Sequence, residues 1–423
     1  MFYLPAILIG RASRTLIRKV RPGGGSALPG LILSKIAPGL LAKTLNSFPD
    51  GLIVVTGSAG KSTTTKMLAA IAREHGKTVF TNPSTANISQ GFFSAIIERS
   101  NLFGKIEGDV AILEMDEGHA AEITKRVSPR QSTILNVLED QLDRFVDPSV
   151  VRDKLGLVAK RTKGAVLLNA DDQNTIMIGA GLPKSAPVAW FGVAPRLLGA
   201  SKHALGAAPT YLPELVRPSV DAEILDVSGT SAAVEIDGLK AQFTLPNRGL
   251  HYALDSVAAL LSAKAYLAGE FNLDLAASVL CDLPPVFARG EIARVGDEDV
   301  EFILVQNPMS FQLNLDNLST EPEQIMVAIG TDVHDPSWLW TVDMSNLKHV
   351  DMVSGFNFAE IALRLTYAGV PIAEVESDLE TALNRFFSLP VPSRGVKTVI
   401  FSADAMRRTR RILGFTDPEA VER

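Results

Sequence analysis

The stretch Gly51–Lys66, GLIVVTGSAGKSTTTK, is a short apolar run that leads into glycines and then into hydroxyl residues. It predicts a strand from Leu52 to Val55, a turn, and a helix that begins near Lys61. At such a junction the backbone N–H groups of the glycine turn and of the helix N-terminus point outward together and bind anions. The stretch therefore predicts a phosphate-binding loop; the alternative is an ordinary strand-to-helix turn rich in small residues.

The residue types of this loop suit a nucleoside triphosphate. Its two glycines permit close backbone approach, the Lys61 ammonium can reach the phosphates, and a hydroxyl of Ser62 or Thr63 can hold Mg²⁺. The G-x-x-G-K-S spacing is shorter than the commonest phosphate-loop pattern. The predicted nucleotide contacts are Gly57, Ser58, Ala59, Gly60, Lys61, Ser62 and Thr63, together with Asn87 of the downstream segment TANISQG.

Composition narrows the class of protein. A chain of 423 residues is too long for one compact core, which predicts two or three domains. Its formal net charge of −6 argues against a nucleic-acid groove. The single cysteine, Cys281, excludes an intrachain disulfide and a cysteine-based zinc site, and it fits a reducing cytoplasm.

The N-terminal stretch MFYLPAILIGRASRTLIRKV has a short apolar run that is followed, not preceded, by basic residues. The spacing of these residues predicts an amphipathic basic helix rather than a cleaved leader. Whether that helix rests on anionic lipid or packs on the next domain is left open by the sequence. No later segment reaches the roughly 18 apolar residues of a membrane span. The basic residues are Arg11, Arg14, Arg18, Lys19 and Arg21.

Polar residues follow three further apolar runs. VAIL leads into Glu114, and the next two runs lead into Asn136 and Asn169. A strand, helix and strand around the loop predict a parallel sheet whose carboxyl ends meet at one edge. Oxygen ligands at that edge would suit Mg²⁺, and the alternative is a solvated acidic turn. The other polar residues of these three ends are Asp116, Glu117, Asp140, Asp143, Asp171 and Asp172.

The pattern predicts an α/β protein with a mostly parallel central sheet and a smaller C-terminal α/β domain. The predicted divisions are residues 1–45, a basic helix and linker that includes the Gly- and Pro-rich segment 21–30; residues 46–285, an ATP-binding domain; and residues 286–423. The C-terminal strands are predicted in VEFILVQN, QIMVAIGTD, HVDMVSG and TVIFSA.

In this order the pieces resemble the Mur ligase superfamily and, within it, the MurT family. The superfamily resemblance rests on TGSAGKSTTT, the glutamate of LEMDE, the N-x-x-x-D-x-x-D run and LNADD. The MurT resemblance covers nearly the whole chain. It rests on GGGSALPG, EMDE, NVLEDQLDRF, FARGE, QNPMSF, DPSWLW and SGFNFAEIALRLTYAGV.

The resemblance implies an ATP-dependent amidation in the cytoplasm, with peripheral contact at the inner membrane face left open. The MurT family is thought to phosphorylate the α-carboxylate of D-glutamate in the stem peptide of lipid II. Ammonia then displaces phosphate and leaves D-isoglutamine. It is made from glutamine by a class I glutamine amidotransferase subunit, GatD, which forms a heterodimer with MurT. Cys281 has no histidine nearby in sequence, so this thiol chemistry is expected from the partner.

The resemblance also implies roles for individual residues. Lys61 and the loop amides would hold the β and γ phosphates, with Ser62 on Mg²⁺. Glu114 would hold a metal, supported by Asp116 and Glu117. Asp140, with Gln141, matches a metal-binding Asp-His pair of amino-acid-adding relatives. Lys154 matches a lysine that many relatives carbamylate; the alternative is a surface lysine.

In the C-terminal part, the family uses an aspartate to complete the partner's Cys-His pair. The candidate is Asp335, with Asp332 in reserve; the alternative is that either one only caps a helix or turn.

Several positions depart from the family pattern. The four zinc-ribbon cysteines are missing, so no zinc is expected. Tyr252 and Asp255 replace the asparagines of the nucleotide segment, although Asp255 could still accept a hydrogen bond from adenine. Gln306 replaces a lysine and His334 an arginine. These changes keep two rival functions open: a non-catalytic nucleotide-binding scaffold for an amidotransferase, and an amino-acid-adding ligase of the Mur or folylpolyglutamate type.

Overall fold

The computed structural model describes residues 3–20, 27–82, 88–138, 147–200, 203, 205–206, 208–284, 289–318 and 322–415. Within them the chain forms two largely parallel sheets flanked by helices, which confirms the predicted α/β class. No helix of this described part combines the length and apolarity needed to cross a bilayer.

The larger sheet has nine strands in the order β2-β3-β1-β4-β5-β6-β7-β8-β9. Strands β1 to β7 pair in parallel, and β8 and β9 extend the sheet as antiparallel neighbours. The strands are β1 (Leu52–Thr56), β2 (Val79–Phe80), β3 (Val110–Glu114), β4 (Gln131–Ile134), β5 (Val166–Asn169), β6 (Val188–Val193), β7 (Ala222–Ser228), β8 (Ser231–Ile236) and β9 (Leu239–Thr244).

Helices cover both faces of this sheet, and every residue of β1 is buried. Ile53 and Val55 belong to the core formed with α4 and α10, whereas Leu52 and Val54 belong to the core on the other face. This continuous apolar run is typical of a parallel strand covered on both sides. The helices are α1 (Leu4–Val20), α2 (Ala27–Ile36), α3 (Leu40–Leu45), α4 (Lys61–Glu74), α5 (Ser89–Arg99), α6 (Glu117–Ile123), α7 (Pro148–Arg161), α8 (Gln173–Ala180), α9 (Pro195–Ala200), α10 (Leu250–Leu267) and α11 (Leu273–Cys281).

The connector predicted over residues 21–30 is wrong in its second half, because α2 begins at Ala27. A Cβ atom at Gly30 would overlap the Gln90 carbonyl oxygen and the Ser94 side chain of α5. This glycine is therefore required by the close packing of two helices and not by a turn. Residues 21–26 lie outside the described part.

The smaller sheet has six strands in the order β10-β11-β15-β12-β13-β14, all parallel except the β10–β11 pair. The four predicted strands are confirmed as β11, β12, β13 and β15, while the sequence missed β10 and β14. The elements are β10 (Arg289–Val295), β11 (Glu298–Leu304), α12 (Pro308–Asp316), β12 (Ile325–Ala328), β13 (Val350–Ser354), α13 (Phe358–Tyr367), β14 (Ile372–Val375), α14 (Leu379–Ser388), β15 (Lys397–Phe401) and α15 (Ala403–Ile412).

Residues of the part built on the nine-stranded sheet contact residues on and just after α12, in the part built on the six-stranded sheet. His203 Nδ1 lies 2.7 Å from Asp316 Oδ2, and a Cβ atom at Gly249 would approach Asn317. The predicted division at 285/286 falls in segment 285–288, outside the described residues.

Candidate active site

The loop between β1 and α4 is fixed by the segment that follows β4. The Ala59 N–H donates to Asn136 Oδ1 at 2.8 Å, and Asn136 Nδ2 donates back to the Ala59 carbonyl at 3.2 Å. The Ser58 N–H donates to the Asn136 carbonyl, and Ser58 Oγ accepts from the Leu138 N–H. One asparagine side chain therefore holds both polar groups of a loop peptide in place.

The backbone of this loop turns at its two glycines. Gly57 has φ 131° and Gly60 has φ 84°, a region that favours glycine. Helix α4 begins at Lys61, as predicted, and its first helical bond runs from the Thr64 N–H to the Gly60 carbonyl. The first N–H groups of any helix have no partner inside it, so the loop ends on the positive pole of α4.

Lys61 lies over the loop and beside a buried carboxylate. Its Nζ donates to the Gly57 carbonyl at 2.5 Å and the Ser58 carbonyl at 3.1 Å, and it lies 3.4 Å from Glu117 Oε1. The Glu117 side chain is 3% exposed, and its Oε2 has no hydrogen-bond partner in the described part of the chain. A buried carboxylate needs such a cation, so the pair also fixes the start of α6 relative to the loop.

Glu114 reaches the same edge at the end of β3. It pairs in register with Val55 of β1, two residues before Gly57. Asn82 fixes its backbone from the other side, since the Glu114 N–H donates to Asn82 Oδ1 and Asn82 Nδ2 donates to the Glu114 carbonyl. Glu114, which is 3% exposed, thus has its backbone fixed on a strand end next to β1.

Asp116 has a different contact from the metal support that the resemblance implied. It is the N-cap of α6, and its Oδ1 accepts from the N–H groups of Gly118 and His119. The carboxylate therefore satisfies a helix terminus.

The polar residues that follow β5 make contacts that stabilise the surrounding structure. Asn169 Nδ2 donates to the Leu135 carbonyl, and Asp171 pairs with Arg217 at 2.7 Å. Asp172 caps α8 and accepts from the Val137 N–H at 2.6 Å. Burial raises the pKa of Asp172 to about 6, against the lowering effect of its backbone donors. These residues hold the segment after β4, and with it Asn136, in place.

Asp255 lies directly against the loop. Its side chain, 5% exposed, occupies the place where a Cβ atom on Gly60 would stand. The Thr64 hydroxyl also points to the Asp255 carbonyl at 3.5 Å. Tyr252, one turn earlier on α10, is buried and lies against the His251 ring. The structure thus brings Asp255, predicted as an adenine contact, against Gly60 of the glycine loop.

Replacing Gly60 with alanine is expected to lower ATP affinity by at least about tenfold, because the new methyl group would displace either the loop or Asp255. Gly76→Ala is the matched control, since Gly76 has φ 81° and open space around its Cβ position. Calorimetric titration with ATP checks the prediction. Equal affinities of the two variants would contradict it.

Other predicted residues lie away from this cluster or outside the described part. Asn87, Asp140, Gln141 and Asp143 are not among the described residues. Lys154 lies half-buried on α7. Across the described ranges, no group of three or more His, Cys, Asp or Glu side chains is placed to hold a metal ion.

The two C-terminal aspartates have different surroundings. Asp332 accepts from Ser402 Oγ and from the N–H groups of Ala403 and Asp404, so it caps α15. Asp335 is exposed, and its Oδ1 accepts a hydrogen bond from the Ser337 N–H at 3.0 Å. Hydrogen bonding to Ser337 keeps the pKa of Asp335 below its ordinary value. Of the two aspartates, Asp335 is therefore the one that presents an exposed, negatively charged carboxylate.

Comparison with known proteins first identifies the fold and the superfamily that has it. The Mur ligase middle domain model matches residues 55–200. MurF from Acinetobacter baumannii has a TM-score of 0.68 over 91% of this chain and 80% of that chain, with 17% identity. MurF from Thermotoga maritima, solved with ADP, has a TM-score of 0.66 over 90% and 83%, with 18% identity. The fold is that of the Mur ligases, a superfamily of ligases that use ATP and Mg²⁺.

The C-terminal part then gives the family. The MurT ligase C-terminal model matches residues 304–400. The MurT subunit of lipid II isoglutaminyl synthase (glutamine-hydrolyzing) from Streptococcus pneumoniae is 25% identical over 420 residues, which cover 89% of this chain and 90% of that protein. The Staphylococcus aureus MurT subunit is 29% identical over 40% of this chain and 36% of its own length. The family models and the curated relatives together support a MurT subunit of the Mur ligase family, which confirms the resemblance seen in the motifs of the chain.

Sequence reasoning missed two contacts that shape the site. The Lys61–Glu117 pair joins residues 56 positions apart, and Asn82 holds Glu114 across 32 positions. No local pattern marks either contact. Parallel pairing of β2, β3 and β1 is the signal from which both could be inferred, because it brings the three strand ends together.

Proposed function

We propose that this chain uses ATP to convert a peptide carboxylate to a carboxamide. The substrate is the α-carboxylate of D-glutamate in the stem peptide of lipid II, and the product is D-isoglutamine. Ammonia comes from a GatD-like class I glutamine amidotransferase bound as a second subunit. The observation that carries the proposal is the meeting of a glycine loop, Lys61 and two buried glutamates at one sheet edge, in a chain of the MurT family.

The residues present fit a nucleotide and its metal. The Thr63 hydroxyl is buried at the start of α4 and lacks a hydrogen-bond partner within the described ranges, so a phosphate oxygen can accept from it. Ser62 and Glu114 would supply oxygen ligands of the kind that Mg²⁺ takes from proteins, and Asp140 would be a further ligand. When bound, Mg²⁺ neutralises charge on the transferring phosphoryl group.

The chemistry runs in two steps. A carboxylate oxygen of the substrate attacks the γ-phosphorus of ATP, the bond to the β–γ bridging oxygen breaks, and ADP leaves. The nitrogen of ammonia then attacks the acyl carbon, phosphate leaves with the former carboxylate oxygen, and the nitrogen loses a proton. Lys61 and the N–H groups of the loop hold the negative charge of the phosphates during the first step.

Asp335 is proposed to act on the partner's side of the reaction. Its exposed carboxylate would orient the histidine of the partner's Cys-His pair, as the third member of a triad does. At the C-terminal end of α11, Cys281 Sγ accepts a hydrogen bond from the Thr244 N–H at 3.3 Å. This contact supports a glutaminase thiol that the partner supplies.

The proposal is tested by incubating the chain and its co-expressed amidotransferase with lipid II, ATP and glutamine. Mass spectrometry is expected to show conversion of one carboxyl group per stem peptide to carboxamide, dependent on ATP. ATP binding without amidation would support a nucleotide-binding scaffold. Growth of the stem peptide by a whole amino acid would support an amino-acid-adding ligase.

A further inference from the structure

Helix α1 directs two arginines toward the protein and several apolar side chains toward solvent. Arg11 Nε donates to the Ile97 carbonyl at 3.2 Å, and its Nη2 donates to the Ser100 carbonyl. Arg14 pairs with Glu98 at 2.6 Å. Both arginines are therefore used against the C-terminal end of α5, where carbonyl groups and a carboxylate favour cations. These two arginines are thus directed at the protein.

The opposite side of α1 is apolar and faces solvent. Leu8, Ile9 and Leu16 are 50%, 48% and 65% exposed, and Pro5, Ala12 and Thr15 share this side. The spacing 5, 8, 9, 12, 15 and 16 forms one continuous stripe of a helix, in which the described side chains carry no charge. A helix that merely packed on the domain would present polar residues here.

The neighbouring helix extends this surface. Helix α2 lies beside α1, since a Cβ atom at Gly10 would touch Leu33, and its own outer side exposes Leu28 and Ile36. We call the five side chains Leu8, Ile9, Leu16, Leu28 and Ile36 the N-terminal apolar face. Exposed apolar side chains on two helices that pack together mark a site that contacts a protein or a membrane.

The positive charge of the N-terminal segment favours a membrane over a protein as the partner of this face. Besides Arg11 and Arg14, which contact α5, residues 1–49 contain five basic residues and no Asp or Glu, in a chain whose net charge is −6. Lys35 is exposed next to Ile36, and Lys43 lies over the Tyr3 ring. Apolar side chains flanked by cations complement the acyl boundary and the phosphate groups of an anionic bilayer. We propose that the N-terminal apolar face docks this protein on the surface of a membrane that contains anionic lipid.

The proposal is independent of the amidation reaction, because it rests on the exposure and charge of α1 and α2 alone. Docking would keep the protein at the surface that carries lipid-borne substrates. Since each exposed leucine or isoleucine loses its water contact in the bilayer, one acidic replacement on this face opposes binding strongly.

The test is flotation of the full chain with vesicles of phosphatidylcholine, with and without phosphatidylglycerol. We expect binding to the anionic vesicles that weakens with added salt, and a loss of at least about tenfold in the bound-to-free ratio for the double variant Ile9→Glu/Leu16→Glu. The matched control is Val216→Glu/Val391→Glu, which places the same charges on valines that are 91% and 68% exposed elsewhere. Thermal unfolding checks that both variants fold.

Three outcomes would overturn the proposal. The wild-type chain could fail to bind anionic vesicles, or the Ile9→Glu/Leu16→Glu variant could bind as the wild type does. Alternatively, sedimentation could show a dimer that only this variant dissociates, with no vesicle binding, which would assign the face to a second copy. ATP-dependent turnover of a lipid-free stem peptide is expected to be unchanged in the variant, so this result separates docking from catalysis.

Discussion

Replacing Lys61 with alanine is expected to lower ATP-dependent amidation by on the order of a hundredfold to a thousandfold, which is the usual cost of one lost donor to developing charge. The ammonium lies over the loop carbonyls, 2.5 Å from that of Gly57, at the mouth of the proposed phosphate site. Initial rates with saturating ammonium, measured on the complex, check this loss without involving glutamine hydrolysis.

The control for this variant is Lys66→Ala on the same helix. Lys66 contacts the Pro284 carbonyl at 3.1 Å and lies beyond the loop, so its removal is expected to leave the rate nearly unchanged. Lys61→Ala also leaves Glu117 buried without its cation, and some loss of thermal stability is expected. A folded Lys61→Ala variant that retains wild-type turnover would refute the phosphate-loop assignment.

Asp335→Asn is expected to lower glutamine-dependent amidation by roughly tenfold or more, because a neutral amide cannot stabilise the partner's protonated histidine. Activity with free ammonium is expected to remain, since the phosphoryl transfer site is elsewhere. The measurement is the ratio of the two rates in the same preparation. Asparagine caps as well as aspartate does, so the 3₁₀ turn Pro336–Thr341 should persist.

Asp378→Asn is the matched control for Asp335. Asp378 is also an exposed N-cap of the C-terminal part, and it accepts from the Thr381 N–H at 2.8 Å. It should leave both rates unchanged. Equal loss with both nitrogen sources in Asp335→Asn would instead implicate this aspartate in acyl phosphate chemistry. If Asp332→Asn lowered glutamine-dependent amidation and spared the rate with ammonium, Asp332 would be the aspartate that acts on the partner's histidine.

Local patterns were sufficient for the elements that position the site. The apolar run before Gly57 and the hydroxyl residues after Lys61 specify a strand, a turn and a helix within a few residues, so β1 and α4 could be predicted. The polar ends of β3 and β5 were visible for the same reason. Their detailed roles were not, because hydrogen bonds from distant backbone groups decide them. Asp116 and Asp172 cap helices, and the sequence does not distinguish a capping carboxylate from a metal ligand.

The N-terminal helix shows a second limit of sequence reasoning. The spacing of its basic and apolar residues predicts an amphipathic helix, but this spacing does not show which side of the helix packs on the protein. The answer depends on Glu98 and the carbonyl groups at the end of α5, which receive Arg14 and Arg11. Gly30 shows the same limit, because the glycine that suggested a turn is needed for close contact between α2 and α5.

The most direct test of the proposed chemistry follows one oxygen atom. The complex is supplied with ATP, ammonium and a stem peptide whose D-glutamate α-carboxylate carries a heavy oxygen isotope. If a carboxylate oxygen attacks the γ-phosphorus, one labelled oxygen must appear in each phosphate released, and the peptide must gain a carboxamide. Amidation that leaves all the label in the peptide or in water, with unlabelled phosphate, would contradict the account.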